Sequence, residues 1–111
     1  MAQTITQKNA ENTMRMATGR ILDTGTVASS WPMTITTGFK PRKVTVWNNT
    51  SGDMYEWIEG MADASAQKTV AAGTRSLITT LGITPSATGF IMGFDLDLIV
   101  TSEQLTWEAI G

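Results

Sequence analysis

Residues 44–59 read VTVWNNTSGDMYEWIE, and the fold class turns on them. Val44-Thr45-Val46-Trp47 alternates apolar and polar side chains, the period-two spacing of a half-buried strand. Asn48-Asn49-Thr50-Ser51-Gly52-Asp53 is a cluster of turn formers. Met54 to Glu59 then resumes an extended pattern, so the stretch predicts a β-hairpin with a loop of about six residues. Tyr55 and Trp57 stand two apart and share a strand face. Trp47, on the neighbouring strand, could share that face with them. Met54 and Ile58 fall on the opposite face, so both faces carry apolar bulk, with Glu56 the exception. A strand of that kind is either central in its sheet or covered by a partner.

The same grammar extends outward. Upstream, Met33-Thr34-Ile35-Thr36 alternates before Gly38 and Pro41 interrupt it. Downstream, Gly60 to Gln67 reads as a small-residue loop, Thr69 to Ala72 as a short edge strand and Gly73 as a turn. Thr74 to Thr80 reads as a strand, and Leu81 to Ser86, with Pro85 inside it, as another turn. Phe90 to Phe94, Leu96 to Thr101 and Gln104 to Ala109 complete the series. In the last of these Leu105, Trp107 and Ala109 alternate with Gln104, Thr106 and Glu108. Short strands separated by frequent turn signals predict an all-β chain: a jelly-roll-like β-sandwich or small barrel. After residue 20 no window sustains a helical period, and no internal repeat is present. Nineteen threonines agree, since a β-branched side chain favours strands over helices.

Residues 1–19 form a separate unit on composition, an N-terminal arm ahead of a β domain at 20–111. The arm is rich in Thr, Gln and Asn and holds only Ile5, Met14, Met16 and a few alanines as apolar material. It cannot bury enough surface alone to offset its ordering entropy, so it is expected to be held by its own domain or by a neighbour. A helix over 7–17, with Ala10, Met14 and Ala17 on one face, is the competing reading and would be marginal in isolation.

Composition restricts the chemistry sharply. The 111 residues contain no Cys and no His. Thiolate nucleophiles, Cys-containing metal sites and histidine-dependent catalytic triads are thereby excluded. One domain of this length leaves little room for a cleft between domains. No enzyme activity, cofactor or metal is expected. Net charge is −2, against the basic balance usual for nucleic-acid binding. No apolar run approaches a membrane span, and the polar N-terminus lacks the apolar core of a secretory signal. Charge is nevertheless polarised. Residues 1–43 hold six basic and two acidic groups, a balance of +4, and residues 44–111 hold two basic and eight acidic, a balance of −6. Two poles of that kind suit docking on a mixed-charge surface, or merely solvate two faces.

Several groups are candidates for partner contact. Met14-Arg15-Met16 combines adaptable apolar reach with a charge, suited to a partner groove, or forms a loosely packed tail. Arg20 adds a second cation nearby. Phe39-Lys40-Pro41-Arg42-Lys43 is the densest basic stretch, too short for confident nucleic-acid binding but able to meet an acidic protein surface. Tyr55 and Trp57 are candidates for a subunit seam or, with Trp47, for a platform that stacks on sugar rings; the bland reading places them in the core. Asp95 and Asp97 share a strand face and could bind Ca²⁺ through oxygen ligands, but neither calcium-loop spacing nor a cluster of further acids accompanies them, and a solvated face opposite Leu96 and Leu98 is the bland reading. Glu56 and Glu59, three apart on a strand, fall on opposite faces and make a poor glycosidase pair.

The stretch GFKPRKVTVWNNTSGDMYEWIEGMADASAQKTVAAGTRSLITTLGI, continued by GFIMGFDLDLIVTSEQLTWEA, resembles small structural proteins of tailed phages, in particular their capsid stapling or decoration (cement) proteins. The aromatic hairpin, the VAAGT turn, the GF strand and the closing WEA carry the likeness, over roughly residues 38 to 110. The resemblance implies a β domain on the outer surface of an icosahedral virion, made in the host cytoplasm. Homodimers would clamp neighbouring major capsid protein subunits while the arm reaches over the shell. It implies neither catalytic residues nor nucleic-acid or membrane partners. A carbohydrate-binding module on a phage structural component, with surface glycans as ligand, is the alternative.

Overall fold

The computed structural model describes residues 15–22, 33–93 and 103–111. The expected strand at Leu96 to Thr101, the Asp95/Asp97 pair, and Met14 lie outside the described residues, as does most of the span 7–17 weighed as a helix. The described chain is all-β, as its alternation predicts. It forms β1 (Met16–Leu22), β2 (Met33–Thr36), β3 (Lys43–Asn48), β4 (Met54–Ile58), β5 (Ser65–Thr69), β6 (Arg75–Ser86), β7 (Gly89–Met92) and β8 (Gln104–Ile110). These join one antiparallel sheet in the order β1-β8-β3-β4-β5-β6-β7-β2.

The sheet curls back on itself. Phe90 on β7 and Trp107 on β8 stand five strands apart in the sheet order, yet their ring centroids are 5.5 Å apart, edge to face. Strand twist and curvature bring the two wings together, and a half-barrel encloses the core between them. Val44, Val46, Tyr55, Trp57, Leu105, Trp107 and Ala109 line one wing, while Ala66, Ile83, Phe90 and Met92 line the other. The alternation of β8 is realised in full: Leu105, Trp107 and Ala109 are buried and their neighbours half-buried. The segment joining β2 to β3 crosses one end of the half-barrel. It is anchored where the Thr37 and Gly38 amides donate to the Thr88 carbonyl, and it buries Phe39 and Pro41.

The expected hairpin forms with Val46 opposite Tyr55 and Val44 opposite Trp57. Asn48 organises its loop. Its side-chain Oδ1 accepts from the amides of Thr50 and Ser51, both at 2.9 Å, and its Nδ2 donates to Glu103 Oε1 at 3.0 Å. β4 is central in the strand order, between β3 and β5; its Tyr55 and Trp57 face the core, while Met54 is half-buried and Ile58 exposed on the outer face.

Several expectations are corrected. Residues expected as a loop up to Gln67 and an edge strand from Thr69 are instead β5, Ser65–Thr69, an interior strand, and Val70–Gly73 is a turn closed by the Gly73 amide on the Val70 carbonyl. Leu81 to Ser86 continues β6, and the turn falls at Ala87-Thr88. Pro85 is tolerated because β6 last pairs with β5 at Ile83 and from Thr84 onward pairs only with β7. β1 begins at Met16, so residues 16–19, assigned on composition to the arm, are sheet.

Candidate interaction surface

Cross-strand partners share a face, so the register arranges the outward side chains in rows. One row crosses four adjacent strands as Met16, Ile110, Lys43 and Ile58. The next is Thr18, Glu108, Thr45 and Glu56, extended by Gln67 and Leu77. A third is Arg20, Thr106, Trp47 and Met54, extended by Thr69 and Arg75. Thr45 is buried although it faces outward, because Glu108 and Glu56 flank it on both neighbouring strands.

Trp47 is therefore turned away from Tyr55 and Trp57, opposite Met54 on the outer face. The three-ring platform weighed from the sequence does not form. Tyr55 and Trp57 are 1% and 3% exposed in the single chain, so they belong to its own core and cannot form a subunit seam. The Trp57 indole donates to the Ala62 carbonyl at 3.2 Å, and Lys68 Nζ stands 6.0 Å from the Tyr55 ring centroid. The β-strand period places Tyr55 and Trp57 on one face; which face is inward depends on what packs across the half-barrel, and that is long-range information.

The remaining candidates converge. Arg15 accepts the Gly111 amide through its carbonyl, and a side chain built at Gly111 would touch both Arg15 and the Phe39 ring. Lys40, next to Phe39, is thereby brought to the same end of the sheet as Arg15. The Arg42 amide donates to the Ile110 carbonyl, and its own carbonyl accepts from Glu59. Lys43 lies between Ile110 and Ile58. Arg15, Met16, Lys40, Arg42 and Lys43, from two distant segments, are thus brought to one end of the sheet, with Met16 and Lys43 in the outward row and Arg15 and Arg42, one residue before each, turned to the opposite face. Arg20 is exposed on the same outer face but two rows away. Ile58 and Ile110 complete the patch. Nothing in the sequence marks Ile110, since its neighbourhood is set by the register of β1, β8 and β3.

Two ion pairs cross this end: Arg42 Nε to Glu59 Oε2 at 3.8 Å, and Lys43 Nζ to Glu56 Oε2 at 3.7 Å. Their side chains are 30–45% exposed, so each contributes little to stability. Glu56 and Glu59 each have a cationic partner, which further weakens any reading of them as a catalytic pair. Among the described residues no group of three or more acidic side chains is placed to hold a metal ion. No helix among them is long and apolar enough to cross a membrane. Compared with protein-family models, with curated proteins and with solved structures, the chain matches none.

Proposed function

We propose that this chain is a non-enzymatic structural protein of a tailed phage, of the stapling kind found on phage epsilon-15. In this reading it binds the outside of the icosahedral shell and holds neighbouring major capsid protein subunits together. The observation that supports it best is the convergence just described. Arg15 and Met16 from one end of the sequence and Lys40, Arg42 and Lys43 from its middle are brought to one end of the sheet, Arg15, Met16 and Lys40 exposed and Arg42 and Lys43 half-buried. The all-β fold agrees with the resemblance over residues 38 to 110, and a sequence without His or Cys agrees with a role that needs no chemistry.

Stapling works by multivalency. A protein that touches two subunits gains avidity from modest contacts, and a force that parts the subunits must also strip the staple. A homodimer would double the contacts. The carbohydrate-binding alternative loses two of its three rings to the core and retains Trp47 alone.

The test is co-sedimentation of the purified chain with mature shells that lack it. Saturable binding at a fixed ratio to the major capsid protein is expected. Failure to bind any form of the shell would overturn the reading, and a glycan array would then examine Trp47.

A further inference from the structure

We infer that the open edge of β1 is a self-association site, where β1 of a second copy of this chain pairs antiparallel across a two-fold axis at Gly19. This seam would supply the homodimer that stapling uses. It asks nothing of a shell, so the seam and the stapling role can fail separately.

β1 ends the sheet on one side, and among the described residues only β8 pairs with it. The Gly111 amide donates to the Arg15 carbonyl, and the Asn49 amide to the Gln104 carbonyl. With the register, these two bonds fix which way each backbone group points. Ala17, Gly19 and Ile21 turn theirs to β8. Met16, Thr18, Arg20 and Leu22 present N–H and C=O groups at the open edge. Such a row is a template for another strand. β1 carries neither proline nor lysine, and its pairing with β8 runs without a bulge, so the usual blocks are missing. β2, at the opposite edge, turns out only Thr34 and Thr36.

The strand complements itself in three ways, and these specify a second copy as its occupant. In register, pairing about Gly19 sets Thr18 opposite the partner's Arg20 and Met16 opposite the partner's Leu22. All four outward residues then meet outward residues, giving on the order of eight hydrogen bonds, a normal number for a protein interface. Sliding by two residues either way leaves an outward residue of β1 outside the pair. On the inner face, Ala17 comes opposite the partner's Ile21, small against large, and both are half-buried beside the core. Gly19 meets the partner's Gly19 on the axis, where each Trp107 indole fills its own glycine's side-chain space. The apolar row thus continues across the seam.

Charge agrees. On the outer face Arg20 shares a row with Thr106, and Thr18 with Glu108. In the joined sheet Arg20 stands opposite the partner's Thr18, and the partner's Glu108 is one strand further, about 10 Å between Cα atoms. Two long side chains span that distance. Neither Arg20 nor Glu108 is in an ion pair within the single chain among the described residues, and the two-fold axis makes the contact twice. One strand per copy is a small interface, so the dimer is reversible, and the axis closes the assembly at two.

The experiment is sedimentation of the purified full chain from about 1 µM to about 1 mM, with amide exchange read by NMR at both ends of that range. Monomer should give way to dimer. The Met16, Thr18 and Arg20 amides should gain at least about tenfold protection with concentration, while those of Ala17, Gly19 and Ile21 are protected throughout. Thr18→Pro removes only an outward N–H, which an edge strand tolerates, and should weaken the dimer at least about tenfold. Arg20→Glu should weaken it about threefold or more, and adding Glu108→Arg should restore most of the loss. Thermal unfolding checks each variant; should one fail to fold, exchange in the unaltered chain decides. A chain monomeric at the highest concentration, a dimer whose outward β1 amides exchange freely, or an open polymer would overturn the seam and leave stapling standing if shells still bind. A dimer with the alternating protection that binds no shell would uphold the seam and remove the stapling role.

Discussion

Gly19 on β1 lies directly opposite Trp107 on β8, and the indole fills the space where a side chain at 19 would project. A Cβ there would come within 2.6 Å of two ring carbons and 2.7 Å of the ring nitrogen. The ring cannot easily yield, because its other contacts include the edge-to-face packing on Phe90 that holds the two wings together. Gly19→Ala should therefore destabilise the protein by about 1–3 kcal/mol, against the usual gain from replacing a strand glycine. Urea unfolding followed by tryptophan fluorescence measures it, and an increase in midpoint would refute the account.

Asn48 carries a loop on one side chain. It is 1% exposed, accepts from two amides and donates to Glu103 on the segment entering β8. Asn48→Ala removes all three bonds and should cost about 1–3 kcal/mol, since buried polar groups lose their partners. Asn48→Asp retains the acceptor but sets a carboxylate against Glu103. If the Glu103 contact matters, a second change, Glu103→Gln, should recover part of the loss in the Asp variant and little in the Ala variant. Equal effects in both backgrounds would show that the contact contributes nothing.

The hairpin rings act in folding. Trp57→Ala should cost about 3–5 kcal/mol through the cavity it leaves. Tyr55→Ser combined with Trp57→Ser should give an unfolded chain, where a seam made of these residues would give a folded monomer. Circular dichroism and sedimentation on the double variant separate the two, and a folded monomer would contradict the burial described here.

Local pattern made β4 and β8 legible because buried and outward residues alternate along each, and β3 legible through the apolar–polar alternation of its sequence, although Thr45 too is buried. It failed for β5, whose sequence Ser-Ala-Gln-Lys-Thr has no apolar rhythm. That segment is extended because β4 and β6 hydrogen-bond to it on both sides, and propensity yields to that context. It failed again at Pro85, a residue that usually ends a strand but here lies where β6 pairs only with β7. The patch was half legible. Its cations stand out in the sequence, but the placing of Lys43 between Ile58 and Ile110 depends on strand order, which no local pattern contains.

The bulge between β5 and β6 holds the last test. Pairing runs from Ala66 with Ile78 to Ser65 with Ile83, so four residues of β6, 79 to 82, are accommodated beside a single step of β5. The chain manages this with two residues in the left-handed region, Ala64 at φ 63° and Leu81 at φ 60°. They are joined through the Gly82 amide, which donates to the Ala64 carbonyl, while the Ala64 amide reaches the Ile83 carbonyl and the Thr84 hydroxyl. A side chain at Gly82 would strike the Ser65 carbonyl, so the bend cannot relax in that direction. A Cβ in the left-handed region costs about 1 kcal/mol or more, and glycine avoids it at some cost in unfolded-state entropy. Ala64→Gly should therefore stabilise the protein by about 0.5–1 kcal/mol, an unusual direction for a change to glycine within a sheet protein. Chemical denaturation settles it: a lowered midpoint would mean that the Ala64 methyl contributes more by packing than its backbone loses by strain.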